Sequence, residues 1–189
     1  MVAAVRDRCR AVYTLQFTTQ SELHIGNGAE RDGVATVIAG AGKGAWIPGA
    51  TLKGAMRALA SDELMRLFGK PHEEASGNPH DPDRFARGEL TVFGFAQVSA
   101  GLSITKTRTA VDPGTGASAA QKLFTQEYVE VGTEFVGDIV LECQASRLQQ
   151  ARDEFEQILS KFAAEDGVPI GAGKADGLGP VSYTHLRAH

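Results

Sequence analysis

The sequence predicts an α+β sandwich, and three observations predict it. Tyr13, Leu15 and Phe17 alternate with Thr14, Gln16 and Thr18, the period-two signature of a half-buried strand. Two segments repeat apolar residues at three- and four-residue steps: Leu52, Ala55, Met56, Leu59, Leu64, Leu67 and Phe68 in one, Leu148, Ala151, Phe155, Ile158, Leu159 and Phe162 in the other. Between these helices, residues 90–143 are rich in β-branched and aromatic side chains, as strands are. Strand, helix, strands, helix and a last strand, in that order, make a ferredoxin-like (RRM-like) β-α-β-β-α-β core with an enlarged middle β-hairpin. One domain spans residues 1–181, with no repeat or linker in it.

In chain order, strand one runs toward His24-Ile25-Gly26-Asn27-Gly28, and a mobile loop is expected next, with a short extended piece at Thr36-Val37-Ile38. Pro48-Gly49 is a turn signal, and Thr51 is placed to cap a first helix that ends near Gly69-Lys70-Pro71. Residues 70–88 carry prolines, histidines and acids and read as surface loop. Leu90–Val98 and Ser103–Val111 are strands, the second entering a turn at Asp112-Pro113-Gly114-Thr115-Gly116 from which Phe124–Val131 returns. Gly132-Thr133 then turns into Phe135–Cys143. Ser146 and Gln149 suggest a capping box for the second helix, which Gly167 and Pro169 stop. A late glycine-rich loop, Gly171-Ala172-Gly173-Lys174-Ala175-Asp176-Gly177-Leu178-Gly179, precedes the last strand. Residues 182–189 resemble the translated read-through of a sequencing adapter and are set aside as a non-native tail.

A content of 42% hydrophobic residues supports a real core, while no apolar run approaches the ~20 residues that span a bilayer. With no leader-like start, a cytoplasmic location without membrane contact is the expectation. Cys9 and Cys143 lie far apart without CxxC spacing and read as ordinary thiols. The net charge of −4 is unlike a simple nucleic-acid-binding domain, but the charge is uneven. Residues 33–61 contain no acid and carry Lys43, Lys53 and Arg57; residues 90–111 contain none and carry Lys106 and Arg108. Two basic segments could therefore share one positive surface on an acidic body.

Nucleotide-cofactor motifs fail on spacing. Gly42-Lys43 is followed by Gly44, with Val37 where a phosphate loop starts on glycine, and Gly171, Gly173 and Gly177 miss the dinucleotide pattern. The glycines still allow close backbone approach to a ligand, and Lys174 adds charge. Lys53 and Arg57, four apart at the expected helix start, read either as solvated cations or as part of an anion site. His72 and His80 in the acidic loop make a weak metal pair, and His24 is either structural or a general acid–base.

The ordered set His24-Ile25-Gly26-Asn27-Gly28, Ile47-Pro48-Gly49-Ala50-Thr51-Leu52-Lys53-Gly54-Ala55-Met56-Arg57, Val111-Asp112-Pro113-Gly114-Thr115-Gly116-Ala117, Glu127–Phe135 and the late glycine loop resembles the RAMP superfamily of CRISPR-associated proteins. It is most similar to the backbone subunit of type III effector complexes. The resemblance implies that the middle hairpin is a thumb interrupting a guide–target duplex, and that subunits stack head to tail along guide RNA. Partners would be guide RNA, target RNA, other copies of the chain and other subunits of the complex. RNA-binding residues would be Lys43, Lys53, Gly54, Arg57, Lys106, Arg108, Gly171, Gly173, Lys174 and Gly177. It also implies a target-cutting aspartate, working through Mg²⁺, just before the extended piece Ala35-Thr36-Val37-Ile38. Val34 stands there, which leaves Asp32, two residues upstream, as the catalytic and metal-binding candidate. The alternative is a stand-alone RAMP-type, metal-independent endoribonuclease that processes guide precursor with His24 as acid–base.

Overall fold

The computed structural model describes residues 7–40, 42, 44–69, 87–99, 103–111, 118–164, 166–172 and 177–188. Strand β1 (Arg8–Thr19) lies between β9 (Glu134–Gln144) and β11 (Pro180–Ala188), antiparallel to both. On its far side β9 pairs with β5 (Leu90–Val92) and β6 (Phe95–Gln97); β4 (Trp46–Ile47) edges β6, and β10 (Val168–Pro169) edges β11. Helices α1 (Gly49–Leu59) and α2 (Leu148–Phe162) bury their apolar stripes in the same core as one face of this sheet. The chain is thus α+β, compatible with the expected ferredoxin-like core.

Alternation decides which face is inside. Ala11, Tyr13, Leu15 and Phe17 of β1 are buried, and the residues between them are half-buried. Phe17 meets Phe95 at 5.3 Å and Phe162 at 5.4 Å, and Tyr13 meets Phe155 at 5.0 Å, all edge-to-face. At the end of this core, Arg147 bonds both carboxylate oxygens of Glu89 and both of Glu154. The Glu154 bonds do most to hold its guanidinium protonated against the opposing effect of burial.

Four local expectations are revised. The first helix stops at Leu59, Ala60 is extended (φ −76°, ψ 136°), and Asp62–Leu67 is a 3₁₀ turn. Leu64, Leu67 and Phe68 still reach the core from that turn, so apolar period alone does not reveal the break; Ser61-Asp62, whose side chains disfavour helix interiors, marks it. Pro48 rather than Thr51 takes the N-cap position, and α2 follows a 3₁₀ turn (Ala145–Arg147) with no side-chain cap, Gln149 bonding Asp153 instead. The expected mobile loop after His24 is a hairpin, β2 (Gly26–Arg31) and β3 (Val34–Val37). Its turn is Asp32-Gly33, both at positive φ (53° and 77°), the two-residue chemistry that matches hairpin twist.

The middle hairpin, β7 (Ser103–Val111) and β8 (Ser118–Val129), is present but does not extend the core sheet. With β2 and β3 it forms a second sheet, ordered β2-β3-β8-β7, in which β3 and β8 run parallel. Residues 182–188, set aside above, lie in β11 beside β1.

Candidate nucleic-acid interface

Helix α1 enters the core through close contacts. A Cβ on Gly49 would lie 2.1 Å from the Val92 carbonyl oxygen, and one on Gly94 would lie 1.7 Å from the Trp46 ring. The Pro-Gly entry is therefore a packing requirement first. Lys53 Nζ donates to the Leu90 carbonyl at 2.8 Å, and Arg57 donates to the Gly69 carbonyl at 3.0 Å. Burial, reinforced by Arg57 and Arg87, pushes the Lys53 ammonium below the ordinary lysine range. Arg57 sits in the last turn of α1, where the helix dipole favours a cation, and not at the expected helix start. Each cation keeps further N–H donors beyond the bond described. Beside them, Ala50, Gly54 and Ala58 face outward in a neighbouring row of the helix, and a Cβ on Gly54 would meet nothing within 4 Å. A mid-helix glycine costs about 0.5–1 kcal/mol relative to alanine, and no contact described within the chain requires this one.

The two ends of the glycine-rich loop are held against the segment after β1. Gly171 (φ 78°) brings its Cα so near that a Cβ would sit 2.4 Å from the His24 carbonyl oxygen, which accepts from Ala172 N–H at 3.0 Å. Gly179 N–H donates to the Glu22 carbonyl, while Gly177 (φ 74°) is open on the Cβ side. Gly173 and Lys174 lie outside the described residues, as do Lys43, His72, His80 and the hairpin tip at 112–117. His24 is 5% exposed, and its Nδ1 lies 2.6 Å from the Glu127 carbonyl oxygen. A carbonyl only accepts, so Nδ1 carries the proton.

On the second sheet, Lys106 pairs with Glu22 and the Arg108 guanidinium lies 5.4 Å from the Tyr128 ring centre. Leu123 and Phe124, neighbours on β8 and so on opposite faces, are both exposed. A cleft of about 760 Å³ lies between this sheet and the core, lined by Asn27, Arg31, Gln97, Ser103 and Glu127 among others. Asp32 is exposed at the β2–β3 turn. Among the described residues no group of three or more His, Cys, Asp or Glu could hold a metal. Asp32 would supply a single ligand to a Mg²⁺ ion. The core-sheet face away from the helices carries Thr14, Gln16, Thr18, Glu134, Val136 and Asp138 on β1 and β9, and the half-exposed Phe93, whose N–H donates to the Asp138 carbonyl, lies beside them.

Donors near a small-residue helix face, a backbone-rich glycine loop and an exposed hairpin are thus carried on one α+β scaffold. The model of the RAMP superfamily matches residues 16–182, and the chain belongs to that superfamily. It is accordingly CRISPR-associated and of an RNA-binding kind. No curated protein matches it. No helix among the described residues is long and apolar enough to cross a membrane. Sequence reasoning singled out the α1 cations and both glycine segments but gave no role to Glu22, Glu127 and Tyr128, whose partners come from residues 84 to 103 positions away or, for Tyr128, across β7.

Proposed function

We propose that the chain is an RNA-binding backbone subunit of a type III CRISPR interference complex, holding guide RNA and positioning target RNA beside further copies of itself. The observation that carries the reading is the long hairpin β7–β8. It is inserted between the core strands β6 and β9, yet joins a separate, exposed sheet. A hairpin serving only the core would bury one face; this one exposes apolar side chains on both. Lys53 and Arg57, braced by backbone carbonyls beside the open Gly54, offer their remaining donors to phosphate, and sequence is left to base pairing with the guide.

The test is reconstitution of the complex with and without Lys53→Ala plus Arg57→Ala. The wild type is expected to carry short RNAs of regular length, and the double variant to lose roughly two phosphate contacts from its salt dependence. An unchanged slope removes the pair from the interface. Target cleavage is tested in the same preparation with complementary RNA and Mg²⁺, using Asp32→Asn because asparagine tolerates the positive φ of the turn. Regularly spaced cuts lost in that variant assign the carboxylate; cuts that persist, or a wild type that makes none, leave Asp32 to the turn alone. Nothing in the geometry favours precursor processing by His24, whose ring is buried and whose Nδ1 is engaged.

A further inference from the structure

Two residues in the extended segment after β1 face two ways. The Glu22 carbonyl accepts from Gly179 N–H at 3.0 Å, and its carboxylate pairs with Lys106 on β7. The His24 carbonyl accepts from Ala172 N–H at 3.0 Å, and its ring bonds the Glu127 carbonyl on β8 at 2.6 Å. Because the two residues are i and i+2 on an extended chain, both main chains address the glycine-rich loop and both side chains address the hairpin. Leu23 between them exchanges backbone hydrogen bonds with Val129 at the hairpin base. Glu127 extends the join, its carboxylate accepting from Val37 N–H at the end of β3. The packing around the ring is tight: a Cβ on Gly26 would lie 2.7 Å from His24 Nε2, and Tyr128 lies 5.6 Å away, ring centre to ring centre.

We infer that Glu22 and His24 are positioning residues, a two-pin clamp that sets the glycine-rich loop and the β7–β8 hairpin at one spacing, so that RNA crossing both keeps a single register. The register part rests on the RNA-binding reading above; the clamp itself does not. His24 is the buried pin and carries the larger effect. Glu22–Lys106 is partly exposed and, as such pairs do, contributes less. Neither residue needs to touch RNA.

The experiment compares wild type with His24→Leu, His24→Asn, Gly26→Ala and Glu22→Ala in the reconstituted complex. Nuclease footprints on the bound RNA and amide exchange of the protein are the two readouts. His24→Leu is expected to retain RNA within about twofold, since phosphate contacts are untouched, while the regular footprint blurs. It should also exchange the Val129 and Ala172 amides together at least about tenfold faster. His24→Asn, with an amide donor that can stand in for Nδ1, restores both. Gly26→Ala, which drives the ring aside with its donor intact, repeats the leucine effect.

A sharp footprint and unchanged exchange in His24→Leu would overturn the clamp, as would failure of the asparagine to restore either in a variant that melts like wild type. Should His24→Leu not fold, Glu22→Ala decides: faster exchange at Gly179 with a partly blurred footprint supports the clamp, and no change in either overturns it. A wild type that gives no footprint at all removes the RNA reading, and the exchange pattern alone then judges the clamp.

Discussion

The two sheets of this molecule are built on opposite terms. In the core sheet every second residue of β1 disappears under the helices, and Phe17, Phe95, Phe135, Phe155 and Phe162 are all fully buried. In the second sheet, β2 is exposed along its whole length, β3 is only half-buried, and among the described side chains of β8 the buried ones are Tyr128 and Val129 at its base. Hydrophobic burial at about 25 cal/mol per Å² explains why the first sheet exists. The second is held by its hydrogen-bond ladders and by its seam with residues 22–25. Burial and exposure thus divide between the two sheets.

The contrast is most easily broken by truncation. Phe17→Ala should cost about 3–5 kcal/mol, because the ring is enclosed by Phe95, Phe162 and Tyr183 and a cavity would remain. Leu123→Ala, exposed on β8, should change stability by no more than about 0.5 kcal/mol. Urea unfolding of the two variants measures the ratio, and comparable losses would show that the second sheet is a core after all.

Next in size is the ion network at the end of the core sheet. Arg147→Met leaves the carboxylates of Glu89 and Glu154, each with a side chain 11% exposed, without their shared cation, for an expected loss of about 3 kcal/mol. Lys106→Met, which removes the corresponding pair on the second sheet, should cost well under 1 kcal/mol because that lysine is half exposed. Equal thermal shifts for the two would contradict the assignment of stability to the core sheet.

The smallest effect concerns Lys53, at the border between core and surface. Its folded value is pushed below the ordinary lysine value of 10.5, so between the two values the unfolded chain binds more protons than the folded one. Stability attributable to this group therefore rises with pH through that interval, and at neutral pH the cost of holding the ammonium is fully present. Lys53→Met should remove this rise, so the difference in urea midpoint between wild type and variant is expected to change as pH is raised through the range below 10.5. A difference that stays constant over that range would place the ammonium in solvent.

The sequence by itself determined what local periodicity and residue chemistry can determine. The alternation of Tyr13, Leu15 and Phe17 marked the central strand, and the stripe from Ala151 to Phe162 marked the second helix, because burial on one face repeats at the period of the element. The Asp112–Gly116 turn chemistry predicted a hairpin, and the flanking strands are paired as expected, although the tip lies outside the described residues. The motif around Lys53 and Arg57 pointed to the family that the superfamily match then showed. Partnerships over long separations were decided only by tertiary structure. That Arg57 ends a helix rather than opening one depends on the break at Ala60, which period alone does not reveal. That Cys9 and Cys143 stand opposite each other, that Asp32 turns a hairpin, and that Glu22 and His24 join a loop to a hairpin all depend on which distant strand lies alongside. Such pairings are set by the closing of the whole core, where a one-residue slip would turn every buried side chain of a strand toward water.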